Sequence, residues 1–224
     1  MPKSPTKRRP RTVASLLESA LALFTEKGFH ATSVSDIVER AGLTRGAFYS
    51  NYRDKEELFL ALYDAHTDRL LARLEETVAG LDPEADPVAQ FLDRIGERPE
   101  ERRWFVVSME FTLHAARSPQ TARALAAHEE RLTEGLSRLV LRALGATGRR
   151  PSVPAEDLTR LIVALSEGLT ALQLIQSTRD GDVRGLSHRL VPHLIEALTE
   201  EAPRTTAPPA RTPADDTVGG PFQG

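Results

Sequence analysis

Residues 32–52 read TSVSDIVERAGLTRGAFYSNY, and this stretch predicts two short helices joined by a tight turn. Apolar residues of the first helix recur at the spacing of one helical face, at Val34, Ile37, Val38 and Ala41. Gly42 ends that helix, because glycine adopts a left-handed backbone conformation without steric cost. Thr44 is a suitable N-cap for the second helix, which buries Phe48.

The second helix is predicted to present a polar outer face made of Arg45, Gly46, Tyr49 and Asn51. Such a face suits the major groove of DNA, which admits an α-helix and offers acceptors to arginine. Residues 1–53 hold nine basic and four acidic residues, whereas the whole chain holds 29 and 32, which leaves 20 and 28 for the remainder. A basic N-terminal quarter on an acidic body is typical of a phosphate-binding unit joined to a part that does not bind nucleic acid.

Residues 11–63 resemble the DNA-binding domain of TetR-family transcriptional regulators. The matching features are a first helix ending in Gly28-Phe29, then Thr32-Ser33, Ile37 to Gly42, Thr44 to Tyr49, and Tyr52 to Leu58 opening a fourth helix. Beyond Leu62 the resemblance rests on length and helical content only. It implies an all-α fold with an N-terminal three-helix helix-turn-helix DNA-binding domain and a C-terminal helical ligand-binding and dimerisation domain.

The predicted domain organisation combines this resemblance with local composition. The expected parts are a disordered basic arm (1–10), the helix-turn-helix domain (11–53), a linking helix (54–79), the ligand-binding and dimerisation domain (54–200) and a disordered tail (201–224). Two interpretations of the arm stay open: a solvated tail, or an arm that contacts phosphates or the minor groove. Further helices are expected over 88–95, 100–117, 118–144 and 155–178, with an exposed loop over 145–154 and a last helix that Pro192 kinks or delays.

Composition excludes several classes of function. The chain of 224 residues contains no cysteine, so it offers no disulfide framework, thiol nucleophile or thiolate metal site. We find no secretory signal core and expect no apolar run that approaches a membrane span, which favours a cytoplasmic protein without a membrane partner. No phosphate loop, nucleophile elbow or zinc-protease motif is present, so we expect neither an enzyme nor a cofactor. Glu110 and His114 have the spacing of two metal ligands, but with no third ligand evident we predict no metal site.

The resemblance also implies which residues contact double-stranded operator DNA. These candidates are Thr32, Ser33, Thr44, Arg45, Gly46, Tyr49, Asn51, Tyr52 and Lys55. Arg45 is the first choice for a base contact, since a guanidinium pairs with the two acceptors of guanine. For Asn51 the alternative is a cap of the recognition helix, and for Tyr49 it is half-buried packing.

A small-molecule effector is the second partner that the resemblance implies. The candidate pocket residues are Phe91, Trp104, Phe105, Met109, Glu110, Phe111, His114, Glu167, Thr170, Gln173 and Leu174. The alternative is that the aromatic residues are core, since aromatics at helical spacing usually are. Apolar walls with few polar groups suit an apolar or aromatic effector, and a buried Glu110 or Glu167 would favour a cationic one.

Two apolar helices near the C-terminus predict a homodimer, because pairing them with the same helices of a second copy makes an isologous four-helix interface. The candidate interface residues are Leu161, Leu165, Gly168, Leu169, Leu172, Leu190, Leu194 and Leu198. The alternative is one more layer of monomer core.

The sequence thus favours a repressor that binds a palindromic operator as a homodimer and is released by a small molecule. Two alternatives stay open: an activator of the same fold, and a small-molecule-binding helical protein with a vestigial DNA-binding domain.

Overall fold

A computed structural model describes residues 8–82, 85, 87–95, 98–176 and 184–202. These residues form α1 (Arg8–Lys27), α2 (Val34–Arg40), α3 (Arg45–Tyr49), α4 (Lys55–Ala79), α5 (Pro87–Ile95), α6 (Pro99–Ala115), α7 (Pro119–Ala146), β1 (Arg149–Pro151), α8 (Ala155–Gln176), α9 (Arg184–Ala197) and β2 (Thr199–Glu201). The all-α class is confirmed, and the predicted helix-turn-helix corresponds to α2 and α3.

The three N-terminal helices and the start of α4 share one apolar core. Its largest fully buried side chains include Leu16, Phe24, Phe29, Ile37, Phe48, Leu58 and Phe59. The same cluster continues into α6 through Val107, Phe111 and Ala115, and into α7 through Leu125. The helix-turn-helix unit and the first part of the second domain therefore bury apolar surface against each other.

Helix α4 links the two parts of the chain. Asp54 caps its start, where the side chain accepts a hydrogen bond from the backbone N–H of Glu57 at 2.8 Å. Further along, α4 packs on α7, and two polar contacts follow this packing: the Asp64 carboxylate lies 2.7 Å from His128 Nδ1, and Glu75 forms an ion pair with Arg142 at 2.7 Å. Because the two helices are joined along their length, a tilt of one requires a movement of the other.

Gly135 lies where α7 approaches α4 most tightly. A Cβ atom there would collide with Leu71 Cδ1 and would lie 2.9 Å from Leu71 Cδ2. We expect Gly135→Ala to lower the free energy of unfolding by about 1 kcal/mol, because displacing the Leu71 side chain outweighs the gain in helix propensity from replacing a glycine. Chemical denaturation measures this value. Gly145→Ala in the same helix is the control: its Cβ would meet no atom within 4 Å, so we expect it to be neutral or stabilising. Equal effects of the two substitutions would contradict the tight approach.

Two sequence-based boundaries near the chain ends are wrong. The basic arm was expected to reach residue 10, but α1 begins at Arg8, and Pro10 is tolerated because it lies in the first helical turn. Residues 1–7 lie outside the described residues. The tail was expected to start at residue 201, but Glu201 belongs to β2, and residues 203–224 lie outside the described residues.

The loop predicted over residues 145–154 contains a strand instead. β1 pairs with β2 in antiparallel register, with Arg149 opposite Glu201 and Pro151 opposite Thr199. The Arg149 guanidinium also donates to the Thr199 hydroxyl at 2.7 Å. The partner strand lies about fifty residues away, and each strand is only three residues long. No local sequence pattern therefore predicts this pairing.

Pro192 does not delay the last helix, since α9 begins at Arg184 and contains this proline inside it.

Helix α8 corrects the expectation about apolar runs: by length and composition it is apolar enough to cross a membrane, with a mean hydropathy of 1.4 over 18 residues. Only 11% of that window is buried within the single chain. This helix therefore presents apolar surface that the described chain does not cover.

Candidate DNA-binding surface and domain junction

The start of α2 is fixed by a reciprocal capping box. The Ser33 hydroxyl accepts from the Asp36 N–H at 3.2 Å, and the Asp36 carboxylate accepts from the Ser33 N–H at 2.7 Å. Lys27 forms an ion pair with Asp36 at 2.8 Å. Hydrogen bonds from Lys27 and Ser33 hold the pKa of Asp36 far below its usual range. Ser33 thus orients α2, and Asp36 is already engaged within the protein.

The turn between α2 and α3 has the geometry that the sequence predicts. Gly42 has φ of +64°, and the N–H of Leu43 donates to the carbonyl of Val38 at 2.8 Å. Thr44 caps α3 by accepting from the Ala47 N–H at 3.2 Å. Phe48 is fully buried beneath α3. These contacts leave the opposite side of the recognition helix exposed.

That exposed side carries four of the predicted DNA contacts, which are Thr44, Arg45, Gly46 and Tyr49. Tyr49 is 56% exposed, although its ring also touches the Phe48 ring edge-on at a centroid distance of 5.3 Å. A Cβ at Gly46 would meet only the Thr44 hydroxyl within 4 Å, at 3.7 Å. Because glycine has no side chain, the backbone of α3 is uncovered at this position. The Arg45 guanidinium donates to the Ser35 hydroxyl at 2.7 Å.

Asn51 closes the other end of the recognition helix. Its amide donates to the carbonyl of Ala47 at 2.8 Å and accepts from the Arg9 side chain at 3.4 Å. The structure thus gives Asn51 the capping role, and it brings the start of α1 beside the end of α3.

Three other predicted DNA contacts have their side chains turned into the protein. Thr32 is 1% exposed and donates to the carbonyl of Gly28 at 2.8 Å, and Tyr52 is 8% exposed. The Lys55 ammonium donates to the carbonyls of Phe29 at 2.6 Å and Thr32 at 2.7 Å. Burial lowers the pKa of Lys55. Hydrogen bonding and burial within the protein therefore replace the phosphate contacts expected of these side chains.

Three of the α6 residues predicted to line an effector pocket contact the N-terminal domain: Glu110, Phe111 and His114. Glu110 accepts a hydrogen bond from the Phe29 N–H at 2.7 Å, just after the end of α1. Gly28 has φ of +85°, and a Cβ there would lie 3.0 Å from the Glu110 carboxylate. The Glu110 carboxylate, which was predicted to line a pocket, is therefore engaged by the backbone of the α1–α2 loop.

His114 makes the second contact between the domains. Its Nε2 lies 2.8 Å from the Glu56 carboxylate, whose other oxygen accepts from the Thr121 hydroxyl at 3.0 Å. The His114 ring lies 5.2 Å from the Phe29 ring and 5.0 Å from the His30 ring. Glu56 of α4 thus joins α6 and α7, and His114 joins α6 to the α1–α2 loop.

Phe111 fills the space between these polar contacts. Its ring stacks on Phe59 with centroids 3.8 Å apart and meets Phe29 edge-on at 5.1 Å. We call the group formed by the 28–32 loop, Lys55, Glu56, Glu110, Phe111 and His114 the domain junction. Phe111 and His114 belong to this junction, which corrects their pocket assignment as well.

Trp104 lies on the same helix, where its ring stacks on Phe59 with centroids 5.9 Å apart at the edge of the shared core. It stacks on His66 with centroids 4.2 Å apart and lies 5.7 Å from the Tyr63 ring. His66 also lies 3.5 Å from the Glu101 carboxylate, which binds Arg73. Burial lowers the pKa of His66 to about 4, so its imidazole is neutral at neutral pH.

Two glutamates face this aromatic group from α7 and α8. Burial raises the pKa of Glu129, and the charge of Glu167 raises it further. Burial also raises the pKa of Glu167, and both carboxylates add to the effect of burial in raising the pKa of Tyr63. Both glutamates are exposed in the single chain.

We call Tyr63, His66, Trp104, Glu129 and Glu167 the acidic-aromatic cluster. Beside it on α4, the hydroxyl of Thr67 is buried without a hydrogen-bond partner among the described residues. The sequence analysis named Trp104 and Glu167 but missed the other three members. The sequence pattern around Tyr63, His66 and Glu129 does not mark them as site residues, because each lies within a regular helix and resembles an ordinary surface or core position.

The remaining predicted pocket residues are half-buried on α5, α6 and α8: Phe91, Phe105, Met109, Thr170, Gln173 and Leu174. Thr170 donates to the Ser166 carbonyl at 2.8 Å within α8. Among the described residues, no group of three or more His, Asp or Glu side chains has the arrangement of a metal site.

The predicted dimer residues lie on α8 and α9, except Leu198, which directly follows α9. Exposed residues are Leu161, Gly168, Leu172 and Leu190, and half-buried residues are Leu165, Leu169, Leu194 and Leu198. Ile175, which the sequence analysis did not include, is 76% exposed on α8. Large aliphatic side chains at this exposure are typical of a protein interface.

Comparisons with known proteins agree with this architecture. Residues 16–62 match the family of bacterial regulatory proteins called tetR, and residues 84–200 match the C-terminal domain of BetI-type transcriptional repressors. The HTH-type transcriptional regulator YfiR of Bacillus subtilis, itself uncharacterized, is 24% identical over 83% of this chain and 91% of its own length.

Solved structures show the same fold. A Rhodococcus sp. protein assigned to the TetR family has a TM-score of 0.68 at 21% identity, over 84% of this chain and 98% of that one. A Saccharomonospora viridis protein crystallised in complex with choline has a TM-score of 0.62 at 15% identity, over 83% and 98%. With both domains matched by family models, the chain belongs to the TetR family of bacterial helix-turn-helix transcriptional regulators.

Proposed function

We propose that this protein is a repressor that binds a palindromic operator as a homodimer and leaves it when a small cation binds in the second domain. Residues 8–53 form the DNA-binding domain, residues 54–201 bind the effector and dimerise, and α4 links the two parts. The site of action is the bacterial cytoplasm.

The exposed face of α3 supports the DNA-binding part. Arg45 and Tyr49 stand on a helix whose other side is anchored by Phe48, so they can enter a major groove without unfolding the domain. Thr44, Gly46 and Ser33 lie at the ends of α2 and α3, where backbone N–H groups approach phosphates. Asn51 orients this surface from its C-terminal end.

The uncovered apolar surface of α8 supports the homodimer. Leu161 is 44% exposed, Leu172 is 41% exposed and Leu190 on α9 is 50% exposed. Packing these residues against the same residues of a second copy removes them from water and creates two-fold symmetry. Two recognition helices related in this way match an inverted repeat in DNA.

The acidic-aromatic cluster supports a cationic effector. Two half-enclosed carboxylates repel each other, and a bound cation relieves this repulsion. Trp104 and Tyr63 offer aromatic faces of the kind that hold quaternary ammonium groups. The Saccharomonospora viridis structure shows that a protein of this fold binds choline, so we use choline as the probe.

One observation carries the proposed response: Trp104 and Glu110 lie on the same helix, one in the acidic-aromatic cluster and the other in the domain junction. They are six residues apart, a rise of about 9 Å. A ligand that moves α6 relative to α4 therefore strains the hydrogen bond that the Glu110 carboxylate accepts from the Phe29 N–H. The ligand shifts the population away from the DNA-binding conformation because it binds that conformation less tightly.

Choline titration of the operator complex tests the response. We expect choline to weaken operator binding at least about tenfold, a coupling of about 1.4 kcal/mol. Glu167→Gln should keep operator affinity without choline but lose most of the choline effect, because the amide offers no charge to the cation. Glu130→Gln, at an exposed residue of α7, is the matched control and should respond as the unmodified protein does. Unchanged operator affinity with choline and with tetramethylammonium would contradict a cationic effector.

A further inference from the structure

The hydrogen bond between Arg45 and Ser35 joins the two helices of the helix-turn-helix through their side chains. Arg45 is the first residue of α3, and Ser35 is the second residue of α2. The Arg45 Nη2 donates to the Ser35 Oγ at 2.7 Å. Arg45 is exposed and Ser35 is half-buried, so the hydroxyl holds an exposed guanidinium against the protein surface.

The nearby carboxylate of Asp36 does not take this role. It is bound by the Lys27 ammonium at 2.8 Å and by the Ser33 hydroxyl at 2.8 Å and N–H at 2.7 Å. Arg45 therefore has a neutral partner, which leaves its charge available to DNA. A guanidinium has five N–H donors, so one bond to a hydroxyl leaves enough donors for a bidentate pair with guanine.

We infer that Ser35 is a positioning residue for base recognition: it holds the Arg45 guanidinium in place before DNA arrives. The inference rests on the proposed DNA-binding function. A long exposed side chain loses rotamer freedom when it docks on a base, and a side chain that is already held loses less. Ser35 thus contributes to specificity through Arg45, without contacting a base itself.

The test measures binding of Ser35→Ala, Arg45→Ala and the double variant to a selected operator and to a random duplex, at one stated salt concentration. Ser35→Ala should weaken operator binding about fivefold and random binding less than about twofold, since the positioning acts only when Arg45 reads a base. In the Arg45→Ala background, Ser35→Ala should add nothing. Ser35→Thr keeps the hydroxyl and should keep most of the affinity.

Two results would overturn the inference. Equal losses on operator and random DNA, or additive losses in the double variant, would show that Ser35 contacts a phosphate independently of Arg45. Unchanged thermal unfolding of Ser35→Ala shows that a loss is not due to misfolding. If the unmodified protein selects no operator, the proposed function fails together with this inference. If it selects one and the losses are additive, only the inference fails.

Discussion

Replacing Phe111 by alanine is expected to lower the free energy of unfolding by about 3–5 kcal/mol, the range for a large aromatic side chain removed from a core. Phe111 is 0% exposed, and its ring stacks on Phe59 of α4 with centroids 3.8 Å apart. It also meets the ring of Phe29 from the α1–α2 loop. The substitution leaves a cavity bounded by both domains, so it should destabilise them together.

Chemical denaturation, followed by helical signal and by the fluorescence of Trp104, measures this effect. The control is Leu113→Ala on the same helix, where the side chain is 64% exposed, and we expect a change within about 0.5 kcal/mol. Both probes should shift to lower denaturant together for Phe111→Ala. A helical signal that keeps its original midpoint would contradict a core shared by the two domains.

Replacing Arg45 by alanine should cost about 1–3 kcal/mol of binding free energy on the selected operator, or roughly 5- to 150-fold in affinity. The guanidinium lies on the exposed side of α3 and has a neutral partner in Ser35, so it is free to pair with a base. On random DNA the loss should be much smaller, because non-specific binding depends on the sum of phosphate contacts.

Fluorescence anisotropy with both duplexes at one salt concentration separates these outcomes. Arg142→Ala is the matched control, since this arginine pairs with Glu75 on the outside of the α4 and α7 contact. It should change neither affinity by more than about twofold. An equal loss for Arg45→Ala on operator and random DNA would show a phosphate contact instead of base recognition.

Local signals explain why the helix-turn-helix could be predicted from the sequence. Ser33 and Thr44 cap their helices with their own side chains, and Gly42 takes the left-handed conformation that the turn requires. Each of these features depends on residues within about four positions. The sequence therefore contains all that is needed to place α2 and α3.

The domain junction could not be predicted in the same way. The spacing of Phe111 shows that it is buried, but periodicity does not show which helix covers it. Glu110 and Lys55 bind backbone groups of the same loop, yet in the sequence they resemble a pocket residue and a phosphate contact. Their partners lie up to 81 residues away, and only the folded chain brings them together.

The acidic-aromatic cluster was predicted only in part, because its members also lie far apart in the sequence. Trp104 and Glu167 stand out by residue type, whereas Tyr63 and Glu129 become informative only when α4, α7 and α8 converge. Contact between helices thus defines the proposed effector region, whose described members come from α4, α6, α7 and α8.

Operator selection from a pool of random duplexes, at a stated salt concentration and followed by native mass spectrometry of the complex, tests the proposed function most directly. We predict an inverted repeat whose half-sites lie about one helical turn apart or a multiple of it, bound by two copies of the chain. Recovery of no preferred sequence, or of a single half-site bound by one copy, would contradict the homodimeric repressor.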